Sequence, residues 1–426
     1  MKKVGVAILG LGVVGGGTYK ILTDNKEYFK KTQGLDVTVE SVLEKNVDRA
    51  LSLGIDKSVV ASSIEEVVAN PNVDIVVEVI GGIEPAKTFV LKALLGGKTV
   101  VTSNKELFAK FWPELESAAK STNAGLFFEA SCVGGVPIIR TLQDGMQANK
   151  ILSLKGIING TTNYILTKMA NQGSSYEEAL KEAQKLGYAE FNPTADVEGF
   201  DATYKLSILS SLAFNTKISI DNVHREGITS ITQKDIYYGK ELGYTIKLLA
   251  IGKNTDNGVE VRVHPTFVAQ SNPLASVNDS FNAVHLVGDA VGEIMLYGRG
   301  AGALPTGSAI VSDVIFAARH QDYYYANFDN SEKGVKDTKF VTDFVSQNFI
   351  RLTVAESAGV LSKITGIFAK HSISIKYIKQ FGMTEEGVPM AIVTHECSES
   401  TLNKVLDKLG AIEEVYSIDS VIKLED

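Results

Sequence analysis

The residues best suited to chemistry lie in residues 187–205, an acidic, loop-like stretch that leads into a predicted helix over 201–214. Asp201 and Lys205 are four positions apart, so that helix would place them on one apolar face. A lysine in such a place is costly to bury unpaired, and its pKa is easily moved. Lys205 is therefore a candidate proton-transfer group, the alternative being a surface salt bridge. Four carboxylates of this stretch would suit a positively charged substrate: Glu190, Asp196, Glu198 and Asp201.

A glycine-rich motif near the start of the chain predicts a dinucleotide-binding fold. The motif follows a short apolar strand over residues 4–9 and precedes a helix over 18–22. In such a motif one glycine makes a tight turn, one lets backbone approach a pyrophosphate, and one lets the helix pack on the strand. The helix N-terminus then faces the phosphates. The residues predicted to bind NAD or NADP are Gly10, Leu11, Gly12, Val13, Val14 and Gly15.

The elements that follow predict a parallel, doubly wound sheet. Glu44 comes directly after a second strand, where an acidic residue would hold the adenosine ribose, whereas Lys45 could instead meet a 2′-phosphate. The choice between NAD and NADP therefore stays open. Further strands over 74–80 and 98–102 place Thr102, Ser103 and Lys105 at a strand carboxyl end, where such folds bind ligands. Lys105 would stand beside the nicotinamide; a solvated helix start is the alternative.

A glycine-rich turn over residues 130–137 follows the last predicted strand of this unit. Cys132 in that turn could be a nucleophile, as in aldehyde dehydrogenases that form thioesters. No histidine lies near it in sequence, so a small apolar packing residue is the favoured interpretation. A loop rich in exposed carbonyls could also hold a hard monovalent cation through oxygen ligands.

Composition limits the classes of function. The 426 residues suffice for two or three domains, and 44% hydrophobic with 22% charged residues is typical of a soluble globular protein. A net charge of −8 gives no basic field for nucleic acid or an anionic membrane. Two cysteines make neither a disulfide framework nor a zinc site, which favours a cytoplasmic location. No secretory signal pattern and no run of about twenty apolar residues are found.

Later patterns divide the chain further. We expect a Rossmann domain over 1–130, joined by a returning helix over 305–320, and an α+β catalytic and dimerisation domain over 131–304. Gly302 belongs to a second glycine-rich helix start, which could place amides against the cofactor or could be a packed interdomain turn. Residues 321–348 are expected to form a linker. The tail, 349–426, has the βαββαβ order of a ferredoxin-like module.

Taken together, these motifs resemble the homoserine dehydrogenase family over essentially the whole chain. The most specific spacing is that of Gly-Tyr-Ala-Glu, Asp-Val-Glu-Gly and Asp-Ala-Thr-Tyr-Lys within residues 187–205. The other matching segments are residues 10–15, 102–105, 129–137, 156–166 and 297–306. The tail resembles an ACT regulatory domain through residues 356–361 and 373–375.

The resemblance implies NAD(P)-dependent interconversion of L-aspartate 4-semialdehyde and L-homoserine, on the route to threonine, methionine and isoleucine. It implies that Lys205 protonates the carbonyl oxygen as hydride arrives, with Lys105 near the same oxygen. Repulsion between these lysines should lower the pKa of one of them. Residues that would hold the substrate or shape its site are Gly187, Tyr188, Glu190, Asp196 and Asp201. Backbone carbonyls that would hold a monovalent cation, expected to be sodium, are those of Glu129, Cys132, Gly134 and Val136.

Two other functions compete with this expectation. The first is another dehydrogenase that uses Cys132 as its nucleophile, which would leave the pattern around Lys205 unexplained. The second is a sensor of nucleotide and amino acid that has lost catalysis. Joint retention of Lys105, Glu190, Asp201 and Lys205 argues against it. We further expect a homodimer or homotetramer, with a possible threonine effector at the ACT domain.

Overall fold

Alternating strands and helices at the start of the chain form a six-stranded parallel sheet in the computed structural model, which describes residues 1–320 and 325–425. Its spatial order is β3-β2-β1-β4-β5-β6, so the first strand is central and the connections cross on both faces. The strands are β1 (Lys2–Leu9), β2 (Leu35–Leu43), β3 (Val60–Ala61), β4 (Ile75–Glu78), β5 (Thr99–Thr102) and β6 (Leu126–Phe127).

Helices cover both faces of this sheet, as a parallel sheet requires. The first helix begins at Val13, five residues before the predicted start, because Gly12 already serves as its N-cap. The helices are α1 (Val13–Asp24), α2 (Lys26–Gln33), α3 (Val47–Ser52), α4 (Ile64–Ala69), α5 (Ala86–Leu95) and α6 (Lys105–Thr122). The predicted doubly wound Rossmann fold is thereby confirmed.

The middle of the chain combines a mixed sheet with helices. The hairpin predicted around residues 288–292 is present, since β11 and β12 pair in antiparallel register through Gly288 and Gly292. The strands are β7 (Ile151–Ile157), β8 (His224–Arg225), β9 (Tyr244–Thr255), β10 (Gly258–Ala269), β11 (Phe281–Gly288) and β12 (Gly292–Arg299). The helices are α7 (Ile138–Arg140), α8 (Gly160–Gln172), α9 (Tyr176–Lys185), α10 (Thr194–Val197), α11 (Phe200–Ala213), α12 (Gln233–Glu241), α13 (Ala303–Arg319) and α14 (Glu332–Asp337).

The tail has the predicted ferredoxin-like order with strands β17-β13-β15-β14 side by side. Its elements are β13 (Val345–Val354), α15 (Val360–Lys370), β14 (Ile375–Gln380), β15 (Val388–Thr394), β16 (Cys397–Ser398), α16 (Glu399–Gly410) and β17 (Val415–Glu425). Part of the predicted linker, residues 321–324, lies outside the described residues. The rest of it contains α14 and the first residues of β13.

One continuous eleven-stranded sheet runs through the middle unit and the tail, which the sequence did not predict. The joint is a parallel pairing of β10 with β17, in which Phe267 faces Leu424. Side chains add to this joint, because Lys155 on β7 forms an ion pair with Glu425. The tail is therefore attached through backbone hydrogen bonds rather than through a linker alone.

The late helix α13 lies against the first sheet. Its buried residues Ile310 and Val314 belong to the same core cluster as Val6 and Ile8 of β1. Gly17 permits the close approach of α1, because a Cβ there would lie 2.3 Å from the carbonyl oxygen of Ala303. Within the described residues, no helix is both long and apolar enough to cross a membrane.

Candidate active site

Lys205 lies on α11 with its ammonium group buried beside Asp201. Its Nζ donates to Asp201 Oδ2 at 2.7 Å and to the backbone oxygen of Ile158 at 2.9 Å. Lys205 is 8% exposed and Asp201 is 5% exposed, so this pair is not the surface salt bridge of the alternative interpretation. Burial alone would raise the pKa of Asp201, but the charges of Lys205 and Lys105 outweigh it and hold that pKa well below its ordinary value.

Lys105 contacts the same carboxylate from the side of the six-stranded parallel sheet. It is the first residue of α6, directly beyond the carboxyl end of β5, and its Nζ lies 3.2 Å from Asp201 Oδ1. The charge of Asp201 raises the pKa of Lys105. Lys105 is therefore not a lysine whose pKa repulsion has lowered, because the Asp201 carboxylate contacts both amines. Since 43% of its side chain is exposed, Lys105 can still meet a ligand.

Asn159, which sequence reasoning did not single out, joins the carboxylates into one network. Its Nδ2 donates to Asp196 Oδ1 at 2.7 Å and to Asp201 Oδ2 at 2.8 Å. Burial raises the pKa of Asp196, and the nearby charge of Asp201 adds to the effect. Asn159 is also the N-cap of α8, where its Oδ1 accepts from the backbone N–H of Thr162. Two signals could have indicated it, namely an asparagine before a helix and its place in the segment 156–166 that resembles the family.

The predicted nucleotide motif has the backbone geometry that its glycines require. Gly10 has a φ of +93°, which favours glycine. A Cβ on Gly15 would lie 2.0 Å from the oxygen of Gly10, so helix and turn touch there. At Gly12 a Cβ would meet nothing within 4 Å, which leaves the backbone open to an approaching pyrophosphate. These observations fit a bound dinucleotide.

The remaining residues of the nucleotide motif differ in the exposure of their side chains. The side chain of Leu11 is fully buried, Val14 is half-buried, and Val13 is 67% exposed at the start of α1. The Leu11 backbone N–H donates to Glu44 Oε2 at 2.7 Å, and that of Asn46 donates to the other oxygen at 2.9 Å. Burial alone would raise the pKa of Glu44, but these two N–H donors outweigh it and lower that pKa.

An open cavity of about 830 Å³ lies beside this motif at the carboxyl ends of the strands. It is lined by Gly10, Gly12 and Glu44, and by basic residues on the far side. Those basic residues are Lys45, Arg49, Lys57 and Lys92. Its position and size suit the adenosine half of a dinucleotide, for which the fold places ligands at strand carboxyl ends.

Thr102 and Ser103 lie beside a buried acid, Glu78, that sequence reasoning did not identify. Thr102 is fully buried, and its hydroxyl donates to Glu78 Oε2 at 2.6 Å, so its side chain points into the protein. The backbone N–H of Ile80 donates to the other Glu78 oxygen at 2.8 Å. Ser103 is half-buried in the turn before Lys105. Burial raises the pKa of Glu78, which in sequence was hidden within an apolar strand.

Gly187, Tyr188 and Glu190 form the turn after α9. Gly187 has a φ of +78° and ends the helix, its N–H donating to the oxygen of Gln184 at 3.1 Å. The Tyr188 carbonyl accepts from Thr161 Oγ1 at 2.6 Å. Glu190 is exposed, and among the described residues it is not part of the hydrogen-bonded network around Lys205. Its role in substrate binding therefore stays a prediction.

Cys132 is a buried packing residue in this structure. It is 0% exposed, its thiol lies 3.9 Å from the backbone oxygen of Lys205, and burial raises its pKa to about 12. A thiol with so high a pKa is a poor nucleophile at neutral pH. This arrangement opposes the competing dehydrogenase in which Cys132 attacks an aldehyde.

The predicted cation loop has an unusual backbone. Val133 and Gly134 both have positive φ, at +57° and +51°. The carbonyl oxygens of Glu129 and Val136 accept from the N–H groups of Cys132 at 3.4 Å and Ile138 at 2.8 Å, which leaves one lone pair on each for a cation. Among the described residues, no three His, Cys, Asp or Glu side chains form a metal site, so any cation here depends on backbone oxygens.

The side chain of Glu129 is a buried carboxylate that contacts the start of α7, directly after this loop. Its oxygens accept from the N–H groups of Ile139 at 2.9 Å and Arg140 at 2.7 Å. Burial and the neighbouring charge of Asp313 raise the pKa of Glu129 to about 7. Arg140 forms an ion pair with Asp313 at 2.8 Å, which ties the loop to α13.

Gly302 lies at the start of α13, with a φ of +116°. The neighbouring Gly300 packs tightly on the middle unit, because a Cβ there would lie 1.3 Å from Asn282 Oδ1. A Cβ on Gly134 would in turn lie 2.4 Å from the oxygen of Gly300. Gly300 is thus part of a packed turn, whereas Gly302 is exposed and its contact with the cofactor stays a prediction.

Comparison with known families assigns all three parts of the chain. Residues 10–129 match the NAD-binding domain of homoserine dehydrogenase, residues 137–315 match the homoserine dehydrogenase family, and residues 349–414 match the ACT domain.

Full-length relatives agree with these matches. The chain is 40% identical to a homoserine dehydrogenase of Bacillus subtilis, covering 100% of this chain and 99% of the relative. The crystal structure of a homoserine dehydrogenase from Thiobacillus denitrificans superposes with a TM-score of 0.92 at 40% identity, covering 100% and 99% of the two chains. A hyperthermophilic archaeal homoserine dehydrogenase, solved in complex with NADPH, is 29% identical with a TM-score of 0.64, over 74% of this chain and 98% of that one. With this site and these similarities, the chain belongs to the homoserine dehydrogenase family, whose members are NAD(P)-dependent oxidoreductases.

Proposed function

We propose that the protein interconverts L-homoserine and L-aspartate 4-semialdehyde with NAD(P), and that Lys205 carries the proton. The observation that supports this most strongly is the contact of Lys105 Nζ with Asp201 Oδ1 at 3.2 Å. That contact joins the ligand-binding edge of the parallel sheet to the helix that carries Lys205. A hydride acceptor and a proton-transfer group would therefore meet at one place.

Lys205 has the hydrogen-bond capacity for this role. A lysine ammonium has three N–H donors, and two of them are used on Asp201 and Ile158. The third is free to donate to the carbonyl oxygen of aspartate semialdehyde. In the reduction direction the proton passes from Lys205 to that oxygen while the carbonyl carbon receives hydride. In the oxidation direction the hydroxyl proton of homoserine passes to the neutral amine. A nicotinamide held at the carboxyl end of β5, beside Lys105, would supply or accept the hydride.

The carboxylates complete the site for an amino-acid substrate. The charge of Asp201 raises the pKa of Lys105, which keeps that amine protonated, and Asp201 Oδ2 accepts from Lys205 Nζ at 2.7 Å, which holds the Lys205 amine in position. Asp196 accepts a hydrogen bond from Asn159, and burial and the charge of Asp201 raise its pKa. A substrate ammonium beside Asp196 would lower that pKa and stabilise the carboxylate. Glu190, exposed on the adjoining turn, would provide a second ammonium partner. Gly187 and Tyr188 would shape this turn.

The first experiment follows absorbance at the reduced-nicotinamide band with homoserine as substrate. NAD and NADP are supplied in separate cuvettes. Reduction of either nucleotide supports the proposed reaction. If neither is reduced while calorimetry shows that the nucleotide binds, the sensor alternative would be favoured instead.

For the nucleotide, we propose that NADP is accepted. The cavity beside Glu44 carries Lys45, Arg49 and Lys57, whose charges suit a 2′-phosphate. The carboxylate of Glu44 is held in place by two backbone amides and would bind a ribose hydroxyl. The nucleotide that is reduced faster in the absorbance experiment is the preferred cofactor.

For the cation, we propose that sodium binds backbone oxygens of Glu129, Cys132, Gly134 and Val136. The two consecutive positive-φ residues supply the turn that would direct carbonyls toward one point. The melting temperature in sodium chloride should exceed that in choline chloride of equal ionic strength. Equal melting temperatures would count against the site.

For regulation and assembly, we propose a threonine effector at the ACT domain and a homodimer or homotetramer. Edge strand β12 presents alternating exposed side chains, including Met295 and Tyr297, that a second subunit could cover. Light scattering measures the assembly state. Turnover of the full chain should fall as threonine is added, and unchanged turnover would reject the effector.

A further inference from the structure

A cavity of about 550 Å³ lies outside the candidate active site, between α6, the segment after α11 and α14. Its apolar lining comprises Ala109, Phe111, Pro113, Ile220 and Val335. Its charged lining comprises Lys110, Glu114, Lys217, Asp221, Glu332 and Lys336. This volume is enough for a small metabolite.

Among the charged residues that line this cavity, Lys217 is the one that is buried. It is only 7% exposed, and within the described part of the chain no carboxylate lies within ion-pair distance of its Nζ. Glu116 is the carboxylate whose charge acts on Lys217, and it already contacts Lys120 at 2.5 Å and Asn330 at 2.7 Å. The Lys217 ammonium lies 5.5 Å from the centre of the Trp112 ring. A largely buried amine without an ion-pair partner is costly, and a bound anion would offset this cost.

The walls of the cavity are continuous with both proposed catalytic helices. Helix α6 begins at Lys105, and Lys217 follows the end of α11, the helix that carries Lys205. Lys110, which lines the cavity, forms an ion pair with Glu106 at 2.6 Å. Glu106 in turn lies 3.5 Å from the hydroxyl of Tyr204. A ligand in this cavity would therefore contact the two helices that carry Lys105 and Lys205 without entering the active site.

We propose that this cavity is a second small-molecule site, which binds a carboxylic acid with a short apolar body. The carboxylate would pair with Lys217, and the body would pack on Phe111, Pro113 and Ile220. A phosphate dianion is less suited than a carboxylate, because Glu114, Asp221 and Glu332 also line the cavity and their repulsion grows with the charge of the ligand. The site does not depend on the proposed reaction, since binding can be measured without turnover.

The test is isothermal titration calorimetry of the full chain with 4-methylpentanoate and, separately, with its uncharged analogue 4-methylpentanamide. We expect the acid to bind and the amide to bind about 10- to 100-fold more weakly, the range for a lost hydrogen bond to a charged group. Lys217→Met should weaken binding of the acid by a similar factor. Lys336→Met, at an exposed position of the same cavity, should change it by less than about threefold.

Saturation with NAD(P) should not displace the acid, because the two ligands occupy separate cavities. The proposal would be overturned by absent binding at 20 mM acid, by equal affinity for acid and amide, or by unchanged binding to Lys217→Met. If Lys217→Met does not fold, Lys217→Gln replaces it, with the same expected loss.

Discussion

Two of the clusters of buried charge in the described part of the chain differ in what they can contact. The proposed catalytic cluster is Lys105, Asn159, Asp196, Asp201 and Lys205. The junction cluster is Glu226, Arg262, His264 and Lys423, and it lies where the middle unit meets the tail. In the junction cluster Lys423 Nζ lies 3.0 Å from Glu226 Oε1, and Arg262 Nη1 lies 3.3 Å from His264 Nε2.

The clusters differ in the place where each is exposed. In the junction cluster Arg262 is 2% exposed and His264 is 0% exposed, the ring of Phe344 covers both Arg262 and Lys423, and Glu226 keeps 43% of its side chain exposed. In the catalytic cluster Lys105 also keeps 43% of its side chain exposed, but it does so at the carboxyl end of β5, where the fold binds ligands. Burial of charge alone is therefore not a sign of catalysis. A buried charge that also faces a ligand-binding edge is such a sign.

The largest expected effect separates the clusters by turnover. Lys205→Met should reduce turnover by about 10²–10⁴, the range for loss of a general acid or base. The nucleotide affinity should stay nearly unchanged, because Lys205 lies outside the nucleotide cavity. Initial rates and fluorescence titration with NAD(P)H measure the two quantities. Near-normal turnover would show that another group transfers the proton.

Lys423→Met should have the opposite profile. Turnover should remain within about threefold of wild type, while the free energy of unfolding should fall by about 1–3 kcal/mol through loss of the bond to Glu226. Urea denaturation measures the second quantity. A large loss of turnover in the folded variant would contradict the separation of the two clusters.

The same pair predicts a pH dependence. Burial alone would raise the pKa of Glu226, but its hydrogen bond with His224 and the charge of Lys423 lower it to about 2. A carboxylate with a lowered pKa stabilises the fold above its unfolded pKa, and this contribution is lost as the pH falls toward 2. The stability difference between wild type and Lys423→Met should therefore shrink below about pH 4.5. A difference that grows on acidification would contradict this assignment.

Lys217 provides a contrast with the paired Lys205. Burial lowers the pKa of Lys217 to about 8. Its unfolded pKa is higher, so the cost of burying the charge is full below pH 8 and disappears as the pH rises toward about 10.5. Lys217→Met should therefore raise the free energy of unfolding by about 2 kcal/mol at pH 7 and by much less at pH 10. Destabilisation at pH 7 would contradict an unpaired ammonium.

The smallest expected effect concerns nucleotide preference. Lys45→Ala should raise the KM for NADP by about threefold and leave that for NAD unchanged, because an exposed charge contact contributes about 0.5–1 kcal/mol. Lys92→Ala is the matched control, since Lys92 lines the same cavity but already pairs with Glu65. An equal change for both nucleotides would reject a phosphate contact at Lys45.

Local spacing predicted much of this arrangement. The four-residue interval between Asp201 and Lys205, and the glycines at 10, 12 and 15, each determine geometry within one element and its adjoining turn. For this reason the Rossmann fold and the lysine–acid pair could be predicted.

Contacts between distant segments could not be predicted in this way. Asn159 joins Asp196 to Asp201 only because β7 ends beside α11, and the pairing of β10 with β17 depends on a register that neither strand specifies alone. The raised pKa of Lys105 could not be predicted for the same reason. It depends on Asp201, which is far away in sequence and adjacent in space.

The most direct test of proton transfer by Lys205 is chemical rescue of Lys205→Ala with small primary amines. We expect added methylamine and ethylamine to raise the turnover of this variant by about tenfold or more, and amines of different pKa to give rates that follow a Brønsted relation. If the folded variant binds NAD(P) but no amine raises its turnover, Lys205 holds the structure of the site rather than the proton.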